Sequence, residues 1–141
     1  MTNRYSPTVA PDLMKRILIS IVLLLTSGAV MAEWKTVAED AEGNIIFVDP
    51  ATRKRAGDIV RIGVLTNYAK AQVNDGITYL SHKELSEFDC KNDRLRQLHQ
   101  TIYAGLNGSG RVVADIAKAS EWLHIEPGWM AWYLLAFVCS K

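Results

Sequence analysis

The sequence contains few of the residues that build metal, redox or catalytic centres. Its 141 residues include only two cysteines and three histidines. Cys90 and Cys139 lack the Cys-x-x-Cys spacing of a zinc or thiol-redox site, and the histidines are widely scattered. Ser81 and His82 are neighbours on a predicted strand and point to opposite faces, so they cannot pair as nucleophile and base. We therefore expect no catalytic residues, no metal ligands, no cofactor and no enzymatic activity.

The chain also lacks an excess of charge of either sign. Sixteen lysines and arginines oppose fifteen aspartates and glutamates, which gives a formal net charge of +1. Because nucleic-acid binding depends on a basic surface, this balance predicts no nucleic-acid partner. The Gly-rich segment 105–110 is not followed by the Lys-Ser or Lys-Thr of a phosphate-binding loop, so it is interpreted as a turn.

The one long apolar run lies near the N-terminus and is shorter than the roughly 20 residues of a transmembrane helix. Met14-Lys15-Arg16 precedes the apolar residues 17–25, and small residues follow up to Ala32. This order is typical of a secretory signal peptide; the alternative is an uncleaved membrane anchor. We expect residues 1–32 to be removed, with Met14 as a candidate true start, and residues 33–141 to form one exported domain. No cysteine follows the run to accept a lipid, so we expect neither a lipid anchor nor a membrane span after cleavage.

The two cysteines are predicted to form a structural disulfide. Export places the chain in an oxidising compartment, where two cysteines normally pair. A bridge between Cys90 and Cys139 closes a loop of about fifty residues. In the chain-entropy model such a loop contributes about 4 kcal/mol, which is a large fraction of the stability of a small domain. The bridge would hold the end of the chain against the segment that contains Cys90.

Alternating and β-branched segments predict a β-rich fold with antiparallel neighbours. The clearest strand is 59–69, in which every second residue from Val60 to Tyr68 shares one face. Residues 94–103 also fit helical spacing, but their Thr-Ile-Tyr end favours a strand. The other predicted strands are 34–38, 45–48, 77–88, 111–114 and 121–125. Within 77–88 the apolar side chains change from one face of the strand to the other, which predicts a bulge or bend. The carboxylates Glu84, Glu87 and Asp89 are expected to be solvent-exposed.

Five basic residues are candidate partner contacts on charge alone. Three of them, Arg53, Lys54 and Arg55, lie in the polar segment 52–58, which we predict to be a loop. Such a run is usually a solvated turn, and its functional interpretation is a patch for an acidic partner. The other two are Arg94 and Arg96.

The most apolar segment of the exported domain is predicted to be a C-terminal helix. Pro127 fits its first turn, and Trp129–Cys139 is apolar on nearly all sides. One side should pack on the sheet. The other side is covered either by a second copy in a C2 homodimer or by loops of the same monomer. Trp129, Trp132 and Tyr133 share one helical face and are the candidate dimer or partner interface.

Taken in order, these features resemble the surface-adhesin protein E family of Gram-negative bacteria. The resemblance extends over the whole exported domain, from Trp34 to Cys139. It includes Tyr79-Leu80-Ser81, Phe88-Asp89-Cys90, the Gly-rich turn and Trp122-x-x-Ile125-x-Pro127-Gly128. It implies an α+β fold, in which a disulfide tethers the C-terminal helix to an antiparallel sheet of about six strands, often in a homodimer.

The resemblance also implies a function and two alternative locations. Members of the family are named for adhesion to host extracellular-matrix proteins such as vitronectin and laminin. We therefore expect a non-enzymatic adhesin-like protein that binds a protein partner at the surface of a Gram-negative bacterium. The alternative is a periplasmic structural or envelope-stress protein that binds a bacterial partner.

Overall fold

The computed structural model describes residues 33–140, which form an antiparallel sheet and a C-terminal helix. The predicted signal peptide, residues 1–32, lies outside the described residues. The strands are β1 (Lys35–Glu39), β2 (Ile45–Ala56), β3 (Ile59–Asn74), β4 (Ile77–Asp89), β5 (Arg94–Tyr103), β6 (Val112–Ile116) and β7 (Leu123–His124), and the helix is α1 (Met130–Cys139). The predicted α+β class is confirmed, and residues 94–103 are a strand. Within residues 33–140, no helix has both the length and the apolar character needed to cross a membrane.

The strands follow one another across the sheet in chain order. Strands β1 to β6 are neighbours in sequence and in space, and β7 pairs with β5 beside β6. All of the pairs are antiparallel. Asp75 and Gly76 form a tight hairpin turn between β3 and β4, in which both residues have positive φ (48° and 76°).

The core lies between the sheet and α1. Val60, Ile62 and Val64 on β3 are at most 1% exposed, as their alternation predicted. They form one cluster with Phe88 of β4 and with three helix side chains, Leu134, Leu135 and Val138. The helix therefore covers one face of the sheet, which we call the helix face.

The predicted disulfide is confirmed. It joins Cys90, directly after β4, to Cys139, the last residue of α1, and the two Cα atoms are 5.6 Å apart. The bridge spans 49 positions of sequence. It therefore tethers the end of the helix to the end of strand β4.

Several boundaries differ from the sequence-based prediction; β3, for example, extends to Asn74 instead of ending at residue 69. Residues 52–56 continue β2 instead of forming a loop, and only Gly57-Asp58 turns the chain. Pro50 and a pairing irregularity between Asp49 and Lys54 conceal this strand, because neither fits a regular alternation. The helix begins at Met130 instead of near Pro127, because Gly128 has a φ of 91°, which no α-helical residue adopts.

The irregularity predicted in 77–88 is present where β4 meets β5. Leu85 pairs with His99 and Ser86 with Gln97, so Leu98 of β5 is an extra residue. One extra residue in one strand is a β-bulge, which bends the pair and increases its twist. The bulge therefore lies on β5, opposite the part of β4 in which the apolar side chains change from one face of the strand to the other.

Candidate functional site

Three arginines and two buried carboxylates form a cluster on the sheet face opposite α1. Arg61 of β3, Glu87 of β4 and Arg96 of β5 are direct cross-strand neighbours, and Asp89 pairs with Arg94. Successive residues of a strand point to opposite faces, so these side chains point away from the core that contains Val60 and Phe88. We call this cluster, Arg61, Glu87, Asp89, Arg94 and Arg96, the arginine face.

Glu87 is shared between two guanidinium groups. Arg61 donates to Oε1 from Nε at 3.2 Å and from Nη2 at 2.7 Å. Arg96 donates to Oε2 from Nε at 2.8 Å, and its Nη2 lies 2.7 Å from the same oxygen. Burial raises the pKa of Glu87, but the hydrogen bonds and charges of Arg61 and Arg96 outweigh this and hold the pKa below its usual value. Glu87 is therefore an ionised anchor between two cations.

Asp89 holds Arg94 in the same way. The Nε and Nη2 atoms of Arg94 both lie 2.9 Å from Oδ2. Asn92 donates from Nδ2 to Oδ2 at 2.8 Å, and the backbone N–H groups of Lys91 and Asn92 donate to Oδ1. The pKa of Asp89 is lowered first by the Asn92 side chain and then by Arg94, against the effect of burial. Both carboxylates are thus fixed in their charged forms.

All three arginines bind their carboxylates through the same two nitrogens of the guanidinium group. Each binds its carboxylate through Nε and Nη2, and Nη1 makes no hydrogen bond to any of residues 33–140. The side chains of Arg61, Arg94 and Arg96 are 46%, 41% and 35% exposed. A guanidinium has five N–H donors, so each arginine retains donors that face solvent. The arginine face can therefore bind further anions without rearranging.

An aromatic side chain orients two of these arginines. The ring centroid of Trp122 lies 5.0 Å from Cζ of Arg94 and 4.6 Å from Cζ of Arg96, within cation–π range. The segment that carries Trp122 is fastened to β5 at Gln97, which accepts from the Ser120 N–H at 2.8 Å and donates to Ser120 Oγ at 3.0 Å. A cleft of about 390 Å³ between this segment and β5 is lined by Leu95, Gln97 and residues 120–123, and it does not include Arg94 or Arg96.

The five predicted contact residues lie on both faces of the sheet. Arg94 and Arg96 belong to the arginine face. Lys54 is directly opposite Arg61 on the neighbouring strand, and the two line a hollow of about 130 Å³ with Glu87. Whether these residues contact a partner stays a prediction.

Arg53 and Arg55 lie on the helix face and have a structural role. Arg53 Nη2 donates to the carbonyl oxygens of Val138 at 3.0 Å and Ser140 at 2.9 Å. Arg55 Nη2 donates to the carbonyl oxygen of Cys139 at 3.0 Å. The last carbonyls of a helix lack intrahelical partners and form the negative end of its dipole. The two arginines therefore hold the end of α1 beside the disulfide.

The predicted aromatic interface is partly exposed. Trp129 and Tyr133 are 47% and 58% exposed, and Phe137 continues their line at 42%. Trp132, in contrast, is half-buried and packs against the core. We call Trp129, Tyr133 and Phe137 the aromatic stripe. An interface at this stripe stays a prediction.

The expectation that three carboxylates on β4 are exposed is wrong. Glu87 and Asp89 are 6% and 3% exposed, and the side chain of Glu84 is 9% exposed. Sequence reasoning also missed Arg61. Arg61, Glu87 and Arg96 are a basic, an acidic and a basic residue side by side on β3, β4 and β5. This pattern of charges can be recognised only when the strand register is known.

A second polar cluster lies on the helix face beyond the core. Tyr68 Oη is 3.2 Å from His82 Nδ1, His82 Nε2 is 3.5 Å from Glu84 Oε2, and Ser86 Oγ donates to Glu84 Oε1 at 2.9 Å. Burial, and then the charges of Tyr79 and Glu84, raise the pKa of Tyr68 to about 12. These groups satisfy one another's hydrogen bonds, as expected of a structural polar network.

Solved structures of protein E from Haemophilus influenzae are similar to this chain. Crystal form II has a TM-score of 0.59 and 17% identity, over 78% of this chain and 89% of that chain. A second structure has a TM-score of 0.57 and 16% identity, over 78% and 86%. A structure of protein E from non-typeable H. influenzae has a TM-score of 0.55 and 16% identity, over 79% and 78%. At these identities the likeness shows a shared fold.

The comparison of the sequence with family models is more decisive. A search among curated proteins finds no match. The model of the family described as surface-adhesin protein E, however, matches residues 34–140, which include every strand and the helix. The order of features noted in the sequence is therefore that of the family. This chain belongs to the surface-adhesin protein E family.

Proposed function

We propose that this protein is an exported, non-enzymatic adhesin that binds a host extracellular-matrix protein at the surface of a Gram-negative bacterium. Membership of a family of surface adhesins supports this proposal. The predicted signal peptide and the disulfide support export, because disulfides form in oxidising compartments. The observation that carries the proposal is the arginine face, whose guanidinium groups are held in place and still have free donors.

The arginine face suits an acidic segment of a protein partner. Together with Lys54 it presents four cations over two buried carboxylates, so about two further negative charges would balance it. The free edge of a guanidinium binds a carboxylate with two parallel hydrogen bonds. Because Glu87, Asp89 and Trp122 already hold the arginines, binding loses little side-chain entropy.

Solid-phase binding of the purified exported protein to vitronectin and laminin tests this proposal. We expect saturable binding, and about a tenfold loss when Arg96 is changed to Lys, which keeps the charge but loses the planar fork. Arg111→Gln, on an exposed arginine outside the arginine face, is the matched control and should bind like the wild type. A wild type that shows no saturable binding to any matrix protein would refute the adhesin function. Binding that Arg96→Lys leaves unchanged would refute the surface assignment alone.

We also propose that the aromatic stripe forms a homodimer interface. A C2 axis beside α1 would bring two copies of Trp129, Tyr133 and Phe137 together and remove their apolar surface from water. Size-exclusion chromatography with light scattering should give a dimer for the wild type and a monomer for Tyr133→Lys. Val73→Lys changes an apolar residue that is 70% exposed elsewhere, and it should stay dimeric. A monomeric wild type at micromolar concentration would contradict the interface.

A periplasmic protein with a bacterial partner is the second candidate. The signal peptide and the disulfide are equally consistent with this location, since the periplasm is oxidising. The two candidates differ in exposure to the outside of the cell. Digestion by a protease added to intact cells supports the adhesin, whereas protection until the outer membrane is opened supports the periplasmic protein.

A further inference from the structure

We propose that Asn107 is a site of spontaneous deamidation that the fold protects, so that it is modified only while the Gly-rich turn is open. Asn107-Gly108 is the only Asn-Gly pair in the sequence. In such a pair the glycine nitrogen can approach the asparagine side chain with little steric hindrance, because glycine has no Cβ. This pair is therefore the most labile asparagine site of the unfolded chain.

The turn needs both residues of this labile pair. Asn107 and Gly108 both have positive φ (59° and 63°), a backbone region that glycine and asparagine adopt more readily than other residues. A Cβ atom at position 108 would also overlap the side chain of Lys83, which packs against the glycine. Replacement of either residue would strain the turn, so protection has to come from the contacts around it.

Deamidation begins when the backbone nitrogen of Gly108 attacks the side-chain carbon Cγ of Asn107. The new N–C bond closes a succinimide ring, the Gly108 nitrogen loses its proton, and the side-chain nitrogen of Asn107 leaves as ammonia. Water then opens the ring at either of its two carbonyl carbons and leaves aspartate or isoaspartate. The net reaction consumes one water molecule, releases one ammonia molecule and adds one negative charge to the chain.

In the folded chain the two reacting groups are held by different strands. Asn67 of β3 donates from Nδ2 to Asn107 Oδ1 at 2.7 Å and accepts at Oδ1 from the Asn107 backbone N–H at 2.8 Å. The Gly108 N–H donates at 3.0 Å to Oγ of Ser81 on β4, which is fully buried. The ψ of Asn107 is 28°, and closure of the succinimide ring requires the backbone to rotate away from this value. The closed turn therefore cannot react.

The rate of deamidation in the folded protein is therefore set by how often the turn opens. The hydrogen bonds to Asn67 and Ser81 must break first, whereas the rest of the sheet can stay intact. Each hydrogen bond changes such an opening equilibrium by about threefold to tenfold. We expect deamidation to be at least about tenfold slower in the folded protein than in the unfolded chain.

Peptide mapping of the purified wild-type protein tests the protection without any substitution. The protein is incubated at mildly alkaline pH, once in native buffer and once in guanidinium chloride. Mass spectrometry then follows the appearance of aspartate and isoaspartate at position 107. We expect the rate in native buffer to be lower by at least about tenfold. Equal rates in the two solutions would overturn the proposal.

Two variants separate the contacts of the turn from the stability of the whole fold. Asn67→Ala frees the Asn107 side chain, and Ser81→Ala frees the backbone N–H that follows it. Each should raise the rate in native buffer about threefold to tenfold and leave the rate in guanidinium chloride unchanged. Arg53→Gln combined with Arg55→Gln is the matched control, because it weakens the fold without touching the turn, and it should deamidate at the wild-type rate. Acceleration in neither variant, or equal acceleration in the control, would overturn the proposal.

Discussion

Removal of the disulfide should weaken the fold without releasing α1 from the sheet. The change is Cys90→Ala together with Cys139→Ala, which opens a loop that spans 49 positions. In the chain-entropy model, a loop of this length contributes about 4 kcal/mol to the free energy of unfolding. A domain of this size has a total stability of about 5–15 kcal/mol, so the variant should stay folded with a much lower midpoint.

The helix should stay docked because other interactions hold it. Leu134, Leu135 and Val138 are at most 5% exposed and belong to the core. Arg53 and Arg55 donate three hydrogen bonds to the carbonyls at the end of α1, two of them solvent-exposed, and together these bonds contribute about 2–4 kcal/mol. These interactions do not depend on the covalent bond.

Urea denaturation, followed both by tryptophan fluorescence and by far-ultraviolet circular dichroism, measures this loss. Two of the tryptophans, Trp129 and Trp132, adjoin or lie in α1, so fluorescence reports on the helix. We expect one cooperative transition with both probes and a loss of about 4 kcal/mol. Val73→Ala, at a side chain that is 70% exposed, is the control and should change stability by less than about 0.5 kcal/mol. Two separate transitions, or a loss below about 1 kcal/mol, would refute this reasoning.

Three further predictions concern the polar contacts. Changing Arg53 and Arg55 together to Gln should cost about 2–4 kcal/mol in denaturant unfolding, because the helix carbonyls lose charge-assisted hydrogen bonds. The pKa values of Glu87 and Asp89 are lowered on folding, so their contribution is present above the unfolded values, near 4.5 and 3.8, and is lost as pH falls through the lower folded values. As the pH is lowered below about 4.5, the midpoint temperature of thermal unfolding should therefore decrease, and it should decrease less steeply in Glu87→Gln. Ser81 is fully buried, donates to the Gly105 carbonyl and accepts from the Gly108 N–H, so Ser81→Ala should cost about 1–3 kcal/mol.

Each of these predictions has a control or a contradicting outcome. Lys54→Gln, on the same strand as the arginine pair but on the opposite face, should leave stability within about 0.5 kcal/mol. An acid transition of the same shape in Glu87→Gln and the wild type would show that Glu87 contributes no pH dependence. Thr78→Ala, at an exposed position of β4, should have little effect on stability. An equally small effect of Ser81→Ala would contradict the role of Ser81 in holding the Gly-rich turn.

The sequence was sufficient for the central hairpins and the disulfide. Strand β3 alternates cleanly because one side of it faces the core, and this periodicity needs no knowledge of its neighbours. The pairing of Cys90 with Cys139 followed from export and from the presence of only two cysteines. Local or compositional signals of this kind do not depend on the register of the strands.

The arginine face could not be predicted, because it depends on register. Glu87 and Asp89 are buried only because arginines from the neighbouring strands β3 and β5 cover them. Arg53 and Arg55 were grouped with Lys54 by charge, but the alternation of β2 sends them to the helix and Lys54 to the opposite face. The strand itself was concealed by Pro50 and by the irregular pairing beside it.

Protease accessibility on intact cells tests the proposed adhesin function most directly. Cells that express the full chain are treated with an external protease, and the fate of this protein is compared with that of a periplasmic marker. The account predicts that the protein is digested while the marker stays intact. Protection of both proteins until the outer membrane is opened would contradict surface adhesion.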